Sequence, residues 1–228
     1  MIKIIHTSDW HLGLRFCGYD PSQEYELFFT QLIKSVTREK PDALLIVGDV
    51  FDIPIPANDL LERFERCLAD LHAACQTMLI IITSGNHDDC QWLEKQAKRW
   101  SEWNVRIIGQ LHKRDGSYDI GRHIISITDA KGNLKGYVIG MPYMTSSNCP
   151  IQSDQIPIER RLPAFMTALT NRVEMVNMTN VPVIAMAHCF VLRERLPGIE
   201  RQKATMILED LPLDSFDYLA LGHAHTSK

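Results

Sequence analysis

Hydrophobic positions follow two different spacings along the chain, and the two spacings alternate. Short unbroken apolar runs at residues 43–47, 78–83 and 182–187 are typical of strands that are buried on both faces. The stretches between such runs carry apolar residues on one helical face, as in the leucine-rich helix predicted at about residues 58–74. Strands and helices that alternate in this way predict an α/β fold with right-handed crossovers and a parallel core.

The second half of the chain predicts a less regular arrangement. Residues 123–128 and 134–140 read as an antiparallel hairpin, so this part of the sheet is expected to be antiparallel or mixed. A helix is predicted from about residue 160 to residue 178, with Val176 among its inward-facing residues. Residues 189–216 are predicted to form a long connection before a last short strand at residues 218–221.

Length and composition fit one globular domain that covers residues 1–228. The chain has 228 residues, of which 45% are hydrophobic, and a formal net charge of −4. This charge gives no overall basic signal for nucleic acid, although it leaves room for a local basic groove. No apolar run is long enough to span a membrane and the first residues lack the layout of a signal peptide, so a cytoplasmic protein without a membrane partner is expected.

The six cysteines and the aromatic residues point to packing. The cysteines lack Cys-x-x-Cys spacing, which argues against a zinc knuckle and against a disulfide framework. The four tryptophans are not interleaved with basic residues, so a base-stacking platform is not indicated. The apolar stripe of the helix at 58–74 is widened by two adjacent leucines, Leu60 and Leu61. We expect this helix to pack in the core, and a homodimer surface is the alternative.

Candidate chemistry gathers where the predicted strands end. A Gly85-Asn86-His87-Asp88 turn follows the strand at 78–83, and packing alone does not require three side chains there that bind metals or move protons. Other predicted strands end in the same way. In open α/β sheets the crevice lies outside the carboxyl ends of the strands, so all of these residues are expected at one edge. The candidate residues are Asp9, His11, Asp49, Asp52, Asn86, His87, Asp88, His188, His223 and His225.

The residue types in this set indicate a metal site for phosphoester hydrolysis. Carboxylate, imidazole and amide groups without a thiolate suit Mn²⁺, Fe²⁺ or Zn²⁺ in a catalytic site. The candidates are too many for one ion that keeps an open position, and they suit two ions about 3.5–4 Å apart that clamp a phosphoryl group. Taken singly, His188 would more often be a core histidine and Gly48-Asp49 a simple turn. The agreement of several strand ends favours the metal site.

In order and spacing, these motifs resemble the calcineurin-like metallophosphoesterase superfamily. Residues 6–13, 48–52 and 216–223 look like those of its SbcD-type exonuclease subunits, the bacterial nucleases of double-strand-break repair and recombination. The resemblance implies a sandwich of mixed β-sheets flanked by helices, with the metal site at the carboxyl ends of the strands. The motifs that carry it are Asp9-x-His11, Gly48-Asp49-x-x-Asp52, Gly85-Asn86-His87-Asp88, His188 and Gly222-His223-x-His225.

The resemblance also implies a role for each site residue. His87 would stabilise the transition state or protonate the leaving oxygen, and Asp88 would orient His87 from behind. Asp49 would bridge two divalent ions, with Mn²⁺ as the expected metal. The further ligands of one ion would be Asp9, His11 and His225, and those of the other Asn86, His188 and His223.

The activity implied is 3′ to 5′ exonuclease and endonuclease cleavage of DNA, with an SbcC-like ATPase as partner. Two departures from the family are visible: Asp52 stands where archaeal relatives have a histidine, and the capping domain that normally follows the last motif is expected to be absent from this chain. A metal-dependent phosphodiesterase or phosphatase for a small substrate is the first alternative. A scaffold of the same fold without activity is the second.

Overall fold

Two four-stranded β-sheets lie face to face, and helices cover both outer faces of the pair. This architecture is seen in a computed structural model that describes residues 1–15, 17–193 and 204–224. The α/β sandwich flanked by helices that the resemblance implies is therefore confirmed, although only one of the two sheets is mixed.

The first sheet is entirely parallel and is built from the first half of the chain. Its strands lie in the order β1-β2-β3-β4, and helices connect each strand to the next. Its elements in chain order are β1 (Ile4–Thr7), α1 (Ser22–Glu39), β2 (Ala43–Val47), α2 (Asn58–Ala74), β3 (Leu79–Thr83), α3 (Cys90–Lys95), α4 (Ala97–Trp100) and β4 (Val105–Ile108).

The second sheet is mixed and comes from the second half of the chain. Its strand order is β12-β9-β8-β7, with β7 and β8 antiparallel and the other pairs parallel. Two further pairs of short strands, β5 with β6 and β10 with β11, lie outside the two large sheets. The elements are β5 (Lys113–Arg114), β6 (Ser117–Tyr118), β7 (Ile124–Thr128), β8 (Leu134–Met141), α5 (Arg161–Glu174), β9 (Val183–His188), β10 (Phe190–Leu192), β11 (Thr205–Ile207) and β12 (Tyr218–Gly222). Single 3₁₀ turns lie at Ser101–Trp103, Ile120–His123, Ile158–Arg160, Leu208–Asp210 and Leu213–Ser215.

The unbroken apolar runs of the sequence are explained by burial on both sides of the first sheet. In β2, Leu44 and Ile46 face the core under the helices, and Leu45 faces the second sheet. There Leu45 belongs to the same apolar cluster as Met186 of β9 and Ala220 of β12. Because side chains alternate along a strand, a strand between two cores must be apolar at every position.

The structure differs from the sequence prediction in three places. Helix α5 ends at Glu174, and the side chain of Val176 is 42% exposed, so its predicted inward position is wrong. The strands β10 and β11 lie within residues 189–216, which were predicted to form a connection. The strands β5 and β6 lie within residues 109–121, a polar and turn-rich segment whose sequence predicts no element.

All six cysteines are free thiols. Over the described ranges, no helix is both long enough and apolar enough to cross a membrane.

Candidate metal centre

The carboxyl ends of strands from both sheets meet at one edge of the sandwich. Strands β1, β2 and β3 run parallel in one sheet, and β9 and β12 run parallel in the other, where His188 pairs with Gly222. Backbone hydrogen bonds join the loops that follow these strands. The N–H of Asp9, after β1, donates to the carbonyl of Gly48, after β2, at 3.1 Å. The N–H of His223 reaches the Asp9 carboxylate at 3.0 Å, which ties the second sheet to the first.

The backbone at this edge is held in an unusual conformation. Asp9, His11, Asp49 and His223 all have positive φ angles, of 53°, 44°, 49° and 85°. Residues with a Cβ seldom adopt this region, and such strain persists only where the surrounding structure enforces it, often at functional sites. Four chemically capable side chains on such backbone at one edge therefore indicate a site shaped for chemistry.

One cluster of possible ligand atoms lies at the end of the first sheet. Asp9, His11 and Asp49 each present an atom, and these atoms lie within 4.8 Å of one another. Nε2 of His11 is 3.7 Å from Oδ2 of Asp49 and 4.0 Å from Oδ1 of Asp9. These distances leave room for one cation between the three groups.

A second cluster joins the two sheets. Asp49, His188 and His223 also place ligand atoms within 4.8 Å of one another. Nδ1 of His188 donates a hydrogen bond to the Val47 carbonyl at 2.9 Å, so Nε2 is the ring nitrogen that faces the cluster. That Nε2 lies 3.3 Å from Oδ2 of Asp49 and 3.2 Å from Oδ1 of the exposed Asn86, so Asn86 belongs with this cluster.

Asp49 belongs to both clusters and is almost completely buried, with 1% of its surface exposed. Its Oδ1 accepts a hydrogen bond from the His87 N–H at 2.8 Å. Its Oδ2 lies 3.7 Å from Nε2 of His11 in the first cluster and 3.3 Å from Nε2 of His188 in the second. Burial acts to raise the pKa of Asp49, but the hydrogen bond and charge of His188 outweigh it and lower the pKa. Conversely, burial acts to lower the pKa of His188, but the hydrogen bond and charge of Asp49 outweigh it and raise the pKa.

Three glycines allow the loops to approach so closely. A Cβ on Gly85 would lie 2.0 Å from Oδ1 of Asp49, and one on Gly48 would lie 2.1 Å from Nδ1 of His188. A Cβ on Gly222 would lie 2.1 Å from the Val47 carbonyl oxygen. Each distance is far below van der Waals contact, so any larger residue at these positions would push the clusters apart.

His87 lies beside the first cluster and is more accessible than the other histidines there. Its side chain is 40% exposed, compared with 9% for His11, and the two rings meet edge to face at 4.8 Å. Nδ1 of His87 donates to the backbone carbonyl of Asp52 at 3.1 Å. Its Nε2 is therefore the nitrogen left for an incoming group.

Asp52 contacts two histidines of this edge, and sequence reasoning gave it no role. Its Oδ1 accepts from Nδ1 of His11 at 3.0 Å and lies 3.5 Å from Nδ1 of His87. Asp52, His11 and His87 also form a compact set of possible ligands, yet these hydrogen bonds account for their proximity. The spacing Gly48-Asp49-x-x-Asp52 could have indicated a role for Asp52, because it places a second carboxylate at the same strand end.

Asp88 makes its hydrogen bonds to the backbone of two loops. Its carboxylate accepts N–H bonds from Gly85 at 2.8 Å, Phe51 at 3.1 Å and Val50 at 3.3 Å. Asp88 thus joins the loops after β2 and β3, and burial raises the pKa of this carboxyl group. Its expected orientation of His87 stays a prediction, since the hydrogen bond described for the His87 ring goes to Asp52. Asp88 could join two loops or orient His87. The sequence could not separate these two roles, because Asp88 follows His87 directly in the chain in either case.

Tyr143 is a second residue that sequence reasoning missed. It follows β8, and its ring centroid lies 6.1 Å from that of His188 and 5.9 Å from that of His223. The sequence predicts that residues 134–140 pair only with the preceding strand, in a hairpin. In the structure β8 is also parallel to β9, so β8 brings Tyr143 to the same edge. His225, the remaining predicted ligand, lies outside the described residues.

The donor atoms present fit divalent metal ions. Carboxylate oxygens, imidazole nitrogens and one amide oxygen converge on two adjacent positions, with a carboxylate common to both. His11 and His188 each use one ring nitrogen on an oxygen acceptor, the arrangement that directs the other nitrogen to a metal.

Comparison with known proteins agrees with this geometry. Residues 2–227 match the calcineurin-like phosphoesterase family, and the chain belongs to that family.

Curated relatives of the chain are named as the SbcD component of the nuclease SbcCD. The one from Rhodobacter capsulatus is 30% identical over 98% of this chain and 58% of its own length. Those from Staphylococcus epidermidis and Staphylococcus saprophyticus are 24% and 26% identical. The matches to these two cover 98% of this chain and 57% and 56% of the relatives, so the chain spans somewhat more than half of their length. A crystal structure of Pseudomonas putida nuclease MPE has a TM-score of 0.35 and 13% identity, covering 85% of this chain and 64% of that one.

Proposed function

We propose that this chain is the catalytic domain of a DNA nuclease that hydrolyses phosphodiester bonds with two divalent ions. The observation that carries the proposal is the position of Asp49 in two ligand clusters at once. A carboxylate shared between two sites is suited to hold two ions close together, and such pairs favour in-line displacement at phosphorus.

The ligand sets follow from the two clusters. We assign Asp9, His11 and Asp49 to the first ion, with His225 as its remaining ligand from the sequence motif. We assign Asp49, Asn86, His188 and His223 to the second ion. When bound, the ions would lower the pKa of a water molecule and neutralise charge on the phosphoryl oxygens. Mn²⁺ is the proposed metal.

The chain's own groups supply orientation and proton transfer. Asp52 and Val47 accept the Nδ1 protons of His11 and His188, so both rings hold their Nε2 atoms toward the clusters. His87 is held through Nδ1 by the Asp52 carbonyl, and its Nε2 would donate a hydrogen bond or a proton to the leaving oxygen.

Nucleic acid as the substrate is supported by the relatives, which match 98% of this chain and are named as a subunit of a nuclease. From the motifs that resemble SbcD-type exonuclease subunits, we propose DNA as that nucleic acid, exonuclease and endonuclease action, cytoplasmic DNA repair as the setting and an SbcC-like ATPase as partner. A homodimer stays a prediction: Leu60 and Leu61 are half-buried against the core of the first sheet, which leaves less of them for a partner.

The test compares two substrates on protein purified at the length that its gene encodes. With Mn²⁺, we expect cleavage of linear DNA and of a small chromogenic phosphodiester, and loss of both with EDTA. Turnover of the chromogenic diester without any DNA cleavage would favour the small-substrate phosphodiesterase. Failure to bind Mn²⁺ in calorimetry, together with inactivity on both substrates, would favour the inactive scaffold.

A further inference from the structure

A groove of about 380 Å³ lies beside the metal centre and is not used by the chemistry described so far. The small β5–β6 hairpin and the segment that follows β8 both contribute to it. The lining residues that matter here are Lys113, Tyr118, Tyr143 and Asn148.

Tyr143 lies between the groove and the metal centre. Its half-buried ring lines the groove and also lies near both His188 and His223. The groove therefore adjoins the second ligand cluster across this one ring. A strand whose phosphate is held at the clusters would pass the Tyr143 ring to reach the groove.

The groove combines a positive charge with aromatic surface. The exposed ammonium of Lys113 lies 5.0 Å from the centre of the Tyr118 ring, and the Tyr143 ring lies nearer the metal centre. Asn148 uses Oδ1 to accept the Thr145 N–H at 2.7 Å. As far as the structure is described, its amide NH₂ group has no protein acceptor and could donate to a base edge.

The wall of the groove is held in place from behind. The Glu94 carboxylate accepts from the backbone N–H groups of Gly109 and Gln110, both at 3.2 Å, and lies 2.6 Å from Nε2 of His112. This loop leads directly into Lys113. Because a binding surface fixed in advance loses less entropy when a ligand binds, the wall is suited to recognition.

We propose that this groove binds the nucleotide next to the scissile phosphate in an unpaired DNA strand. Lys113, whose ammonium lies over one face of the Tyr118 ring, pairs with the neighbouring phosphate. Tyr143 and the opposite face of Tyr118 offer surfaces on which the base stacks. The volume suits one nucleotide rather than a duplex, since it lies at the small end of ligand pockets of roughly 300–1,000 Å³. This inference rests on the proposed nuclease function.

The experiment uses Lys113→Gln and Tyr118→Leu variants of the protein at its encoded length, loaded with Mn²⁺. The matched control is Lys131→Gln, which removes an equal charge from the exposed turn between β7 and β8. The substrates are an oligonucleotide with a single-stranded end and the small chromogenic diester. We expect each groove variant to raise KM for DNA about tenfold with little change in kcat. Rates on the diester should stay within about twofold of the parent, because this small substrate has no neighbouring nucleotide that could bind in the groove.

The salt dependence gives a second readout. Loss of one phosphate contact to a single strand should reduce the slope of log affinity against log salt by about 0.7 in Lys113→Gln only. If Lys113→Gln behaves like Lys131→Gln while the parent cleaves DNA, the groove assignment is wrong and the nuclease function stands. An equal loss on the diester would also overturn it, because the substitution would then act on the metal centre. A parent active on the diester but inactive on DNA overturns the nuclease function, and the groove assignment with it.

Discussion

The Asp52 carboxylate lies 3.0 Å from Nδ1 of His11, on the side of the ring that faces away from the ligand clusters. The backbone carbonyl of the same residue accepts from Nδ1 of His87 at 3.1 Å. One residue thus orients both a proposed metal ligand and the proposed catalytic histidine. Its side chain serves the first and its backbone the second, so substitution separates the two effects.

Replacing Asp52 with Ala should weaken metal binding more than it affects His87. Carboxylates that orient a ligating histidine typically contribute 10- to 100-fold in metal affinity, and we expect about that loss for Mn²⁺ in titration calorimetry. The backbone carbonyl that holds His87 remains in the variant. Asp154→Ala, which removes an exposed surface carboxylate, is the control and should bind Mn²⁺ as the parent does. Unchanged affinity in Asp52→Ala would contradict the orienting role.

Replacing Asp88 with Ala should destabilise the fold around the site. The carboxylate satisfies three backbone N–H groups, and each donor left buried without a partner costs about 1–3 kcal/mol. We expect a lower free energy of unfolding in urea, measured with EDTA present so that metal binding does not contribute. A variant as stable as the parent but without activity would instead support the role expected from the sequence, orientation of His87.

The sequence predicted most of the fold because burial on two sides leaves a clear pattern. Residues 43–47 are apolar without interruption, and the structure places them between two cores. The strands β10 and β11 were missed because three residues are too few to show alternation.

The site was predicted in location but not in its supporting contacts. Strand ends identify which side chains reach one edge, and the structure brings Asp9, His11 and Asp49 together there. The partners of Asp52 and Asp88 depend on loop conformations with positive φ and on close approaches at glycine, for which spacing in the sequence carries no signal. Tyr143 was missed because the parallel pairing of β8 with β9 joins distant parts of the chain.

Replacing His87 with Gln should slow turnover strongly while the protein still binds its metal. Neither ligand cluster assigned above needs the His87 ring, but its Nε2 is the accessible proton donor beside the first cluster. General acid catalysis of this kind contributes about 10²–10⁴-fold, so kcat on linear DNA, whose alkoxide leaving group needs a proton, should fall by about that factor. Metal content by elemental analysis should equal that of the parent. Loss of metal in this variant would show that His87 is a ligand.

Replacing Gly85 with Ala should disrupt the metal centre through crowding alone. The added Cβ would lie 2.0 Å from Oδ1 of Asp49, and the φ angle of Gly85 is not in the left-handed region. We expect Asp49 to shift and the Mn²⁺ affinity to fall by at least about tenfold, since orienting contacts around ligands carry effects of this size. Gly121→Ala is the matched control, because its nearest neighbour would be 3.4 Å away. Equal affinities in the two variants would argue against close packing at Asp49.

His123 should make the metal-free protein less stable in mild acid. Its Nδ1 donates to the Gly140 carbonyl at 2.9 Å, and burial lowers its pKa below the ordinary value of about 6.5. The unfolded chain therefore binds this proton at a higher pH than the folded protein does. As pH falls below about 6.5, proton uptake by the unfolded chain reduces the free energy of unfolding, until the folded-state pKa is reached.

A His123→Asn variant separates this contribution from that of other groups. The Asn amide nitrogen lies as far along the side chain as Nδ1 of His, so it can still donate to the Gly140 carbonyl, and it does not titrate. We expect the variant to be less stable than the parent at pH 7, because it loses the edge-to-face contact with Phe165, whose ring centroid lies 5.7 Å away. Its free energy of unfolding in urea with EDTA should fall less between pH 7 and pH 5 than that of the parent. A decline as steep as the parent's would mean that His123 titrates alike in the folded and unfolded chain.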